Sequence, residues 1–152
     1  MPQTLVRSAW ESGSLIFRTL TAGLVARFDQ AGGLGWRQIV NLAAPTQALT
    51  AEQSGQRFVG AVDAVFTLPA MAAAPAGTWF EFETGALSGG TGLAVSPAAA
   101  DHIRGNGLTS VDDKDLINTG ATDRLGDAIR IYSDGVDGWV IASVIGTWAK
   151  EA

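Results

Sequence analysis

The 152-residue chain has no cysteine, one histidine and little charge, with only 16% of its residues Asp, Glu, Lys or Arg against roughly 25% in ordinary soluble domains. The missing thiol excludes disulfides, zinc–thiolate centres, iron–sulfur clusters and cysteine nucleophiles. The shortage of charge leaves a surface that is largely small, neutral or apolar. Such surfaces tend to be covered by a partner, because wide apolar patches are costly on a free monomer. No apolar run approaches the roughly 18 residues that cross a bilayer, and Met1 to Trp10 lacks the basic stretch and hydrophobic segment of an export signal. A product made in the cytoplasm, neither exported nor held in a membrane, is expected. Basic clusters are absent too. The net charge is −5, with residues 1–76 at +1 and residues 77–152 at −6, and an acidic surface repels phosphate backbones, so no nucleic-acid partner is expected.

A sustained helical period is also missing. The helix formers Ala70 to Ala74 are confined by Pro69 and Pro75 to a single turn, and Asp112 to Asn118 reads as another turn. What the chain does contain is short apolar runs separated by Gly, Pro and Asp, with nineteen glycines in all, which is the pattern of an all-β fold. Ser14 to Arg18 and Leu24 to Asp29 read as a β-hairpin, followed by a strand candidate from Trp36 to Val40. This leading unit, residues 1–41, is too small for a secure core of its own. Residues 42–56, rich in Ala, Thr and Gln, read as a linker. Residues 57–152 form the main β domain, a small sandwich or barrel-like body of short antiparallel strands, with strands expected near 57–60, 62–68, 78–83, 93–95, 129–132 and 139–144. In Thr78 to Glu83 the alternation sets Trp79, Glu81 and Glu83 on one face and Phe80 and Phe82 on the other.

The candidate chemical groups each have a simpler structural explanation. His102 could serve a Ser/His/Asp hydrolase only with a nucleophile delivered from elsewhere, and no Gly-x-Ser-x-Gly elbow is present, so a surface or turn histidine is expected. Asp112, Asp113, Asp115, Asp123 and Asp127 could offer oxygen ligands to calcium, but their spacing fits no EF-hand, and a solvated acidic loop is expected instead. Ser133 to Gly138 reads as a hairpin turn, and Gly85 to Gly92 lacks the lysine of a phosphate loop. The five tryptophans, Trp10, Trp36, Trp79, Trp139 and Trp148, are too dispersed for one binding platform. Neither an enzyme nor a cofactor is expected.

From Leu49 onwards the chain resembles a β-module of tailed-phage virion proteins, found in capsid decoration (cement) proteins and in fibre or spike proteins. The resemblance is carried by Leu49-Thr50-Ala51-Glu52-Gln53-Ser54-Gly55, Phe66-Thr67-Leu68-Pro69, Gly77 to Phe82, Val95-Ser96-Pro97, Asp101-His102-Ile103-Arg104-Gly105, Gly126-Asp127-Ala128-Ile129 and Asp137-Gly138-Trp139. Its motif positions, Phe80, Phe82, Pro97, Asp101, Gly105, Gly126, Asp127, Gly138 and Trp139, are turn and core residues. The resemblance implies a homotrimeric cement protein on the outer capsid, bound to the major capsid protein and stabilising the head by bridging its subunits. Trp10, Phe17, Phe28 and Trp36 of the leading unit are expected to supply capsid or intersubunit contacts. The alternatives are a fibre or spike component, disfavoured because the chain stops just after Gly146-Thr147-Trp148, and a carbohydrate-binding module using exposed tryptophans.

Overall fold

The computed structural model describes residues 45–152 except 88, 89 and 91, and ahead of them four strands at residues 7–11, 14–18, 24–29 and 40–42. The chain divides into two units, residues 1–37 and 38–152, and both are all-β. In the first, β1 (Arg7–Glu11), β2 (Ser14–Arg18) and β3 (Leu24–Asp29) form an antiparallel sheet in that order. The expected hairpin is β2 and β3. The third strand of this sheet is β1, where RSAWE pairs with β2 through its backbone while showing no apolar period; of the strand expected from Trp36 to Val40, only Val40 lies among the described residues. The register sets Trp10 opposite Leu15 and Leu15 opposite Phe28, and sets Phe17 opposite Ser8 and Ala26. Trp36 lies outside the described residues.

The division falls after Arg37, and the stretch expected as a linker carries structure. β4 (Val40–Leu42) and β5 (Thr46–Ala48) are strands of the body, and a 3-10 turn follows at Ala51–Gln53. These three-residue strands are held by parallel pairing to β6 and β7, which small and polar side chains such as Thr46 and Gln47 do not announce. The body continues with β6 (Arg57–Gly60), β7 (Val65–Thr67), β8 (Trp79–Thr84), β9 (Gly92–Ser96), β10 (His102–Arg104), β11 (Leu116–Thr119), β12 (Ala128–Ser133), β13 (Gly138–Ile145) and β14 (Trp148–Lys150). The last three residues of the turn expected at Asp112 to Asn118 belong instead to β11, which pairs antiparallel with β9 and β14. Leu116 and Asn118 are buried by the sheet.

The body is a sandwich of two mixed sheets, β10-β13-β12-β8-β6-β4 and β14-β11-β9-β7-β5. From β4 to β12 each strand lies in the sheet opposite its predecessor. Same-sheet neighbours β4, β6 and β8, and likewise β5, β7 and β9, are therefore parallel, since each is reached through the other layer. The expectation of antiparallel strands holds for β8–β12–β13 and β9–β11–β14 only.

Between the layers lies an aromatic core. Phe58, Phe80, Phe82 and Trp139 of one sheet and Phe66 of the other are fully buried, with Phe66 5.5 Å from Phe58 and 5.1 Å from Phe82, and Phe80 5.5 Å from Trp139, measured between ring centroids. The alternation in β8 is as expected: Phe80 and Phe82 point inward, while Trp79, Glu81 and Glu83 lie on the outer face. There Arg57 pairs with Glu81 and Glu83, Arg130 donates to Glu81, and the Arg130 guanidinium lies 5.0 Å from the Trp79 ring centre.

The expected 133–138 turn joins β12 to β13. The Asp134 carboxylate accepts the backbone N–H groups of Val136, Asp137 and Gly138 and a bond from Arg104. These donors, led by Val136, hold its pKa well below the ordinary carboxylate range.

Two outcomes follow from this packing. Phe82→Ala removes a ring that touches three other phenylalanines and is expected to cost about 3–5 kcal/mol in denaturant unfolding. Asp134→Ala is expected to cost about 1 kcal/mol near neutrality. Because the pKa is depressed in the folded state, the carboxylate's contribution is complete above about pH 4 and is lost as the pH falls further, so the gap between variant and wild type should shrink in acid melts.

Candidate functional site

The alternating strands sort the connections of the body between two ends. Residues 61–64, 85–91, 120–127 and 146–147 join strands at one end, here the loop end. Residues 49–56, 68–78, 97–101, 105–115 and 134–137 lie at the other, with the last residues of the chain.

The two ends differ in chemistry. The second carries Glu52, Asp101, Asp112, Asp113, Asp115, Asp134, Asp137 and Glu151 against Arg104, Lys114 and Lys150. The loop end carries three carboxylates, Asp63, Asp123 and Asp127, and one cation, Arg124. At the other end the exposed valines, Val111 and Val136 at 43% and 80%, stand among carboxylates, whereas at the loop end Val62, Leu87, Leu125 and Ile145, 49%, 53%, 65% and 63% exposed, have few charges beside them. They stand on the connections or ends of β6, β8, β12 and β13, which are consecutive neighbours in one sheet. At roughly 4.8 Å between strands, they form a row across the end of the sandwich. No single segment of sequence contains it.

Beneath this row lies a buried polar network. The Thr84 hydroxyl donates to Asn118 Oδ1 at 2.7 Å, and Asn118 Nδ2 donates to Asp127 Oδ2 and to the Thr147 carbonyl, each at 3.0 Å. The Arg124 N–H also donates to Asp127 Oδ2 at 3.0 Å. Thr84, Asn118 and Asp127 are buried, so the bonds among these three side chains are made away from competing water. Beside them is an open cleft of about 610 Å³ lined by Ala121, Thr122, Asp123, Arg124, Asp127, Gly146 and Thr147.

The other motif positions are structural. Phe80, Phe82 and Trp139 fill the core and Pro97 is buried after β9. Asp101 accepts the Met71 N–H, and Gly126, at φ +87°, donates to the Thr84 carbonyl. Gly105, at φ +111°, packs against Ile141, where a Cβ would meet it at 3.3 Å.

His102 departs from expectation. It is buried on β10, not a surface or turn residue, because β10 pairs with β13 and Gly138 has no side chain to displace the ring. Its Nδ1 lies 3.5 Å from Asp112 Oδ1 and its Nε2 3.6 Å from Asp137 Oδ1, so both ring nitrogens face carboxylates. The five aspartates weighed as calcium ligands are divided between the ends, with Asp112, Asp113 and Asp115 at one and Asp123 and Asp127 at the other. Of the tryptophans with described side chains, Trp139 and Trp148 are buried and Trp79 lies under Arg130. The sequence reading missed the apolar row, whose members are at least twenty residues apart at each step. The one local signal was Asp127 following Gly126.

Gly146 tests the network. At φ +85°, its Cβ would lie 2.1 Å from Asp127 Cγ, whereas Gly107, at φ +80°, has open space around it. Gly107→Ala should cost about 1 kcal/mol in thermal or denaturant unfolding, from backbone strain alone. Gly146→Ala should cost about 2 kcal/mol more, the difference measuring the contact with Asp127. No protein-family model matches this chain, and no curated protein matches it.

Proposed function

We propose that this protein is a virion structural protein that decorates the outer surface of a mature tailed-phage head, bridging subunits of the major capsid protein and stabilising the shell. The observation that carries the reading is the asymmetry of the body. One end presents a row of four exposed aliphatic side chains with few charges, while the other sets its exposed valines, Val111 and Val136, among eight carboxylates. A body built this way can turn its apolar end to a protein surface and its acidic end to water. The identity of the surface comes from the resemblance to phage decoration proteins.

The role needs no chemistry. A protein that binds the assembled shell more tightly than free subunits stabilises the shell by mass action. If three copies act together, weak single contacts add through effective concentration, which is the advantage of the homotrimer. Residues 1–37 carry four basic and two acidic side chains, a net +2, while residues 38–152 carry six basic and thirteen acidic, a net −7. The leading unit, with Trp10, Phe17, Phe28 and Trp36, is the complementary surface for contacts with the capsid or with a neighbouring copy. A sugar-binding platform has less support, since Trp79 is covered by Arg130 and Trp139 and Trp148 are buried.

The test is binding of the purified protein to emptied, expanded heads of the parent phage, with its size in solution measured alongside. Stoichiometric attachment is expected, and the double variant Leu125→Asp, Ile145→Asp should weaken it by about tenfold or more with unchanged circular dichroism. A monomer that ignores heads overturns the proposal, and full attachment of the double variant overturns the use of the loop end.

A further inference from the structure

We propose that the buried carboxylate of Asp127 is a positioning residue, which presets Leu125 and Ile145 for the partner. The inference rests on the reading that the loop end is the docking surface. Both exposed aliphatics are bracketed by residues that this carboxylate or its partners hold. On one side of Leu125 the Arg124 N–H donates to Asp127 Oδ2, and on the other the Gly126 N–H donates to the Thr84 carbonyl at 3.0 Å. The Asp127 N–H returns to the Arg124 carbonyl at 3.0 Å and the Thr84 N–H donates to the Asp127 carbonyl at 2.8 Å, so the turn bearing Leu125 is closed on itself and on β8. Ile145 is followed directly by Gly146, whose Cα packs against the Asp127 carboxylate, and by Thr147, whose carbonyl accepts from Asn118.

The network therefore ties the ends of β8 and β11, the 120–127 connection and the β13–β14 turn, which come from both sheets. Plain stability does not require a charge here. Well-packed apolar side chains stabilise a buried site as well as or better than an ionised group, whose burial costs several kcal/mol before its hydrogen bonds offset it. What directional bonds add is a single arrangement. For a docking surface that means less ordering cost on binding, because the loops that carry the contact side chains are already held.

A double-mutant cycle and an exchange measurement on the full chain test this. Leu125→Ala and Asp127→Asn should each weaken attachment to expanded heads by about tenfold. Made together they should weaken it by no more than about threefold beyond either alone, because a displaced Leu125 has less to lose. Fully multiplied effects overturn the proposal, since a general loss of stability would act independently of Leu125. In the unbound protein, the amides of Arg124 and Gly126 should exchange with solvent about tenfold faster in Asp127→Asn than in wild type, while those of Phe80 and Phe82 are unchanged. Unchanged exchange at 124 and 126 overturns the proposal. Should Asp127→Asn fail to fold, Thr84→Val, which removes only the hydroxyl that orients Asn118, should give the same pattern at smaller size. The exchange measurement needs no heads and decides whether Asp127 holds the loop. A wild type that binds no heads overturns the reading of function and the recognition half of this inference together.

Discussion

Phe66 reaches from the five-stranded sheet into a nest of Phe58 and Phe82 from the six-stranded one, and the two layers are held together around this contact. Rings of this size bury 150–250 Å² each, which allows a sandwich of strands only three to eight residues long to exclude water from its centre. With no cysteine in the chain, packing at this point carries what a disulfide often supplies in small β domains. The strands on either side are placed by it. Phe58 fixes β6, Phe80 and Phe82 fix β8, and Trp139, against Phe80, fixes β13.

Polar structure is then distributed around that core by position. On the outer face of the six-stranded sheet, Arg57, Glu81, Glu83 and Arg130 form a half-buried ladder in which Glu81 is shared by both guanidinium groups. At the acidic end, Asp134 organises a tight turn with backbone donors. At the loop end, Asn118 and Asp127 are inside, and their bonds cross from one sheet to the other. Carboxylates thus serve three separate purposes in one small body, with the donors each one meets deciding which.

The parts of this fold legible in the sequence are those in which a side-chain pattern and a strand coincide. Trp79 to Thr84 alternates cleanly, Ile129 and Ile131 are separated by an outward Arg130, and Asp134-Gly135 marks the hairpin. Less legible are the strands that exist because of a distant partner. Thr46–Ala48, His102–Arg104 and Trp148–Lys150 are three residues each, too short for a period, and their state is set by backbone pairing. The burial of His102 depends on Gly138 passing beside it, a condition no local window contains. The same holds for the apolar row, which becomes a surface only when four connections are brought to one end. Asp127 was recognisable as part of a motif, but its work there is visible only with Asn118 and Thr147 in place.

The order of the six-stranded sheet also bears on how the chain is made. β10 stands at the edge, where its one neighbouring strand among those described is β13, while β12, made between them, inserts between β13 and β8. A nascent chain leaving the ribosome can wind β4 to β9 turn by turn, each strand joining one already placed. It cannot seat β10 until β13 has emerged, so Ile103 and His102, both buried in the finished sheet, wait in contact with solvent or chaperone. Completion of this half of the sandwich is a late event that depends on nearly the whole polypeptide having been synthesised.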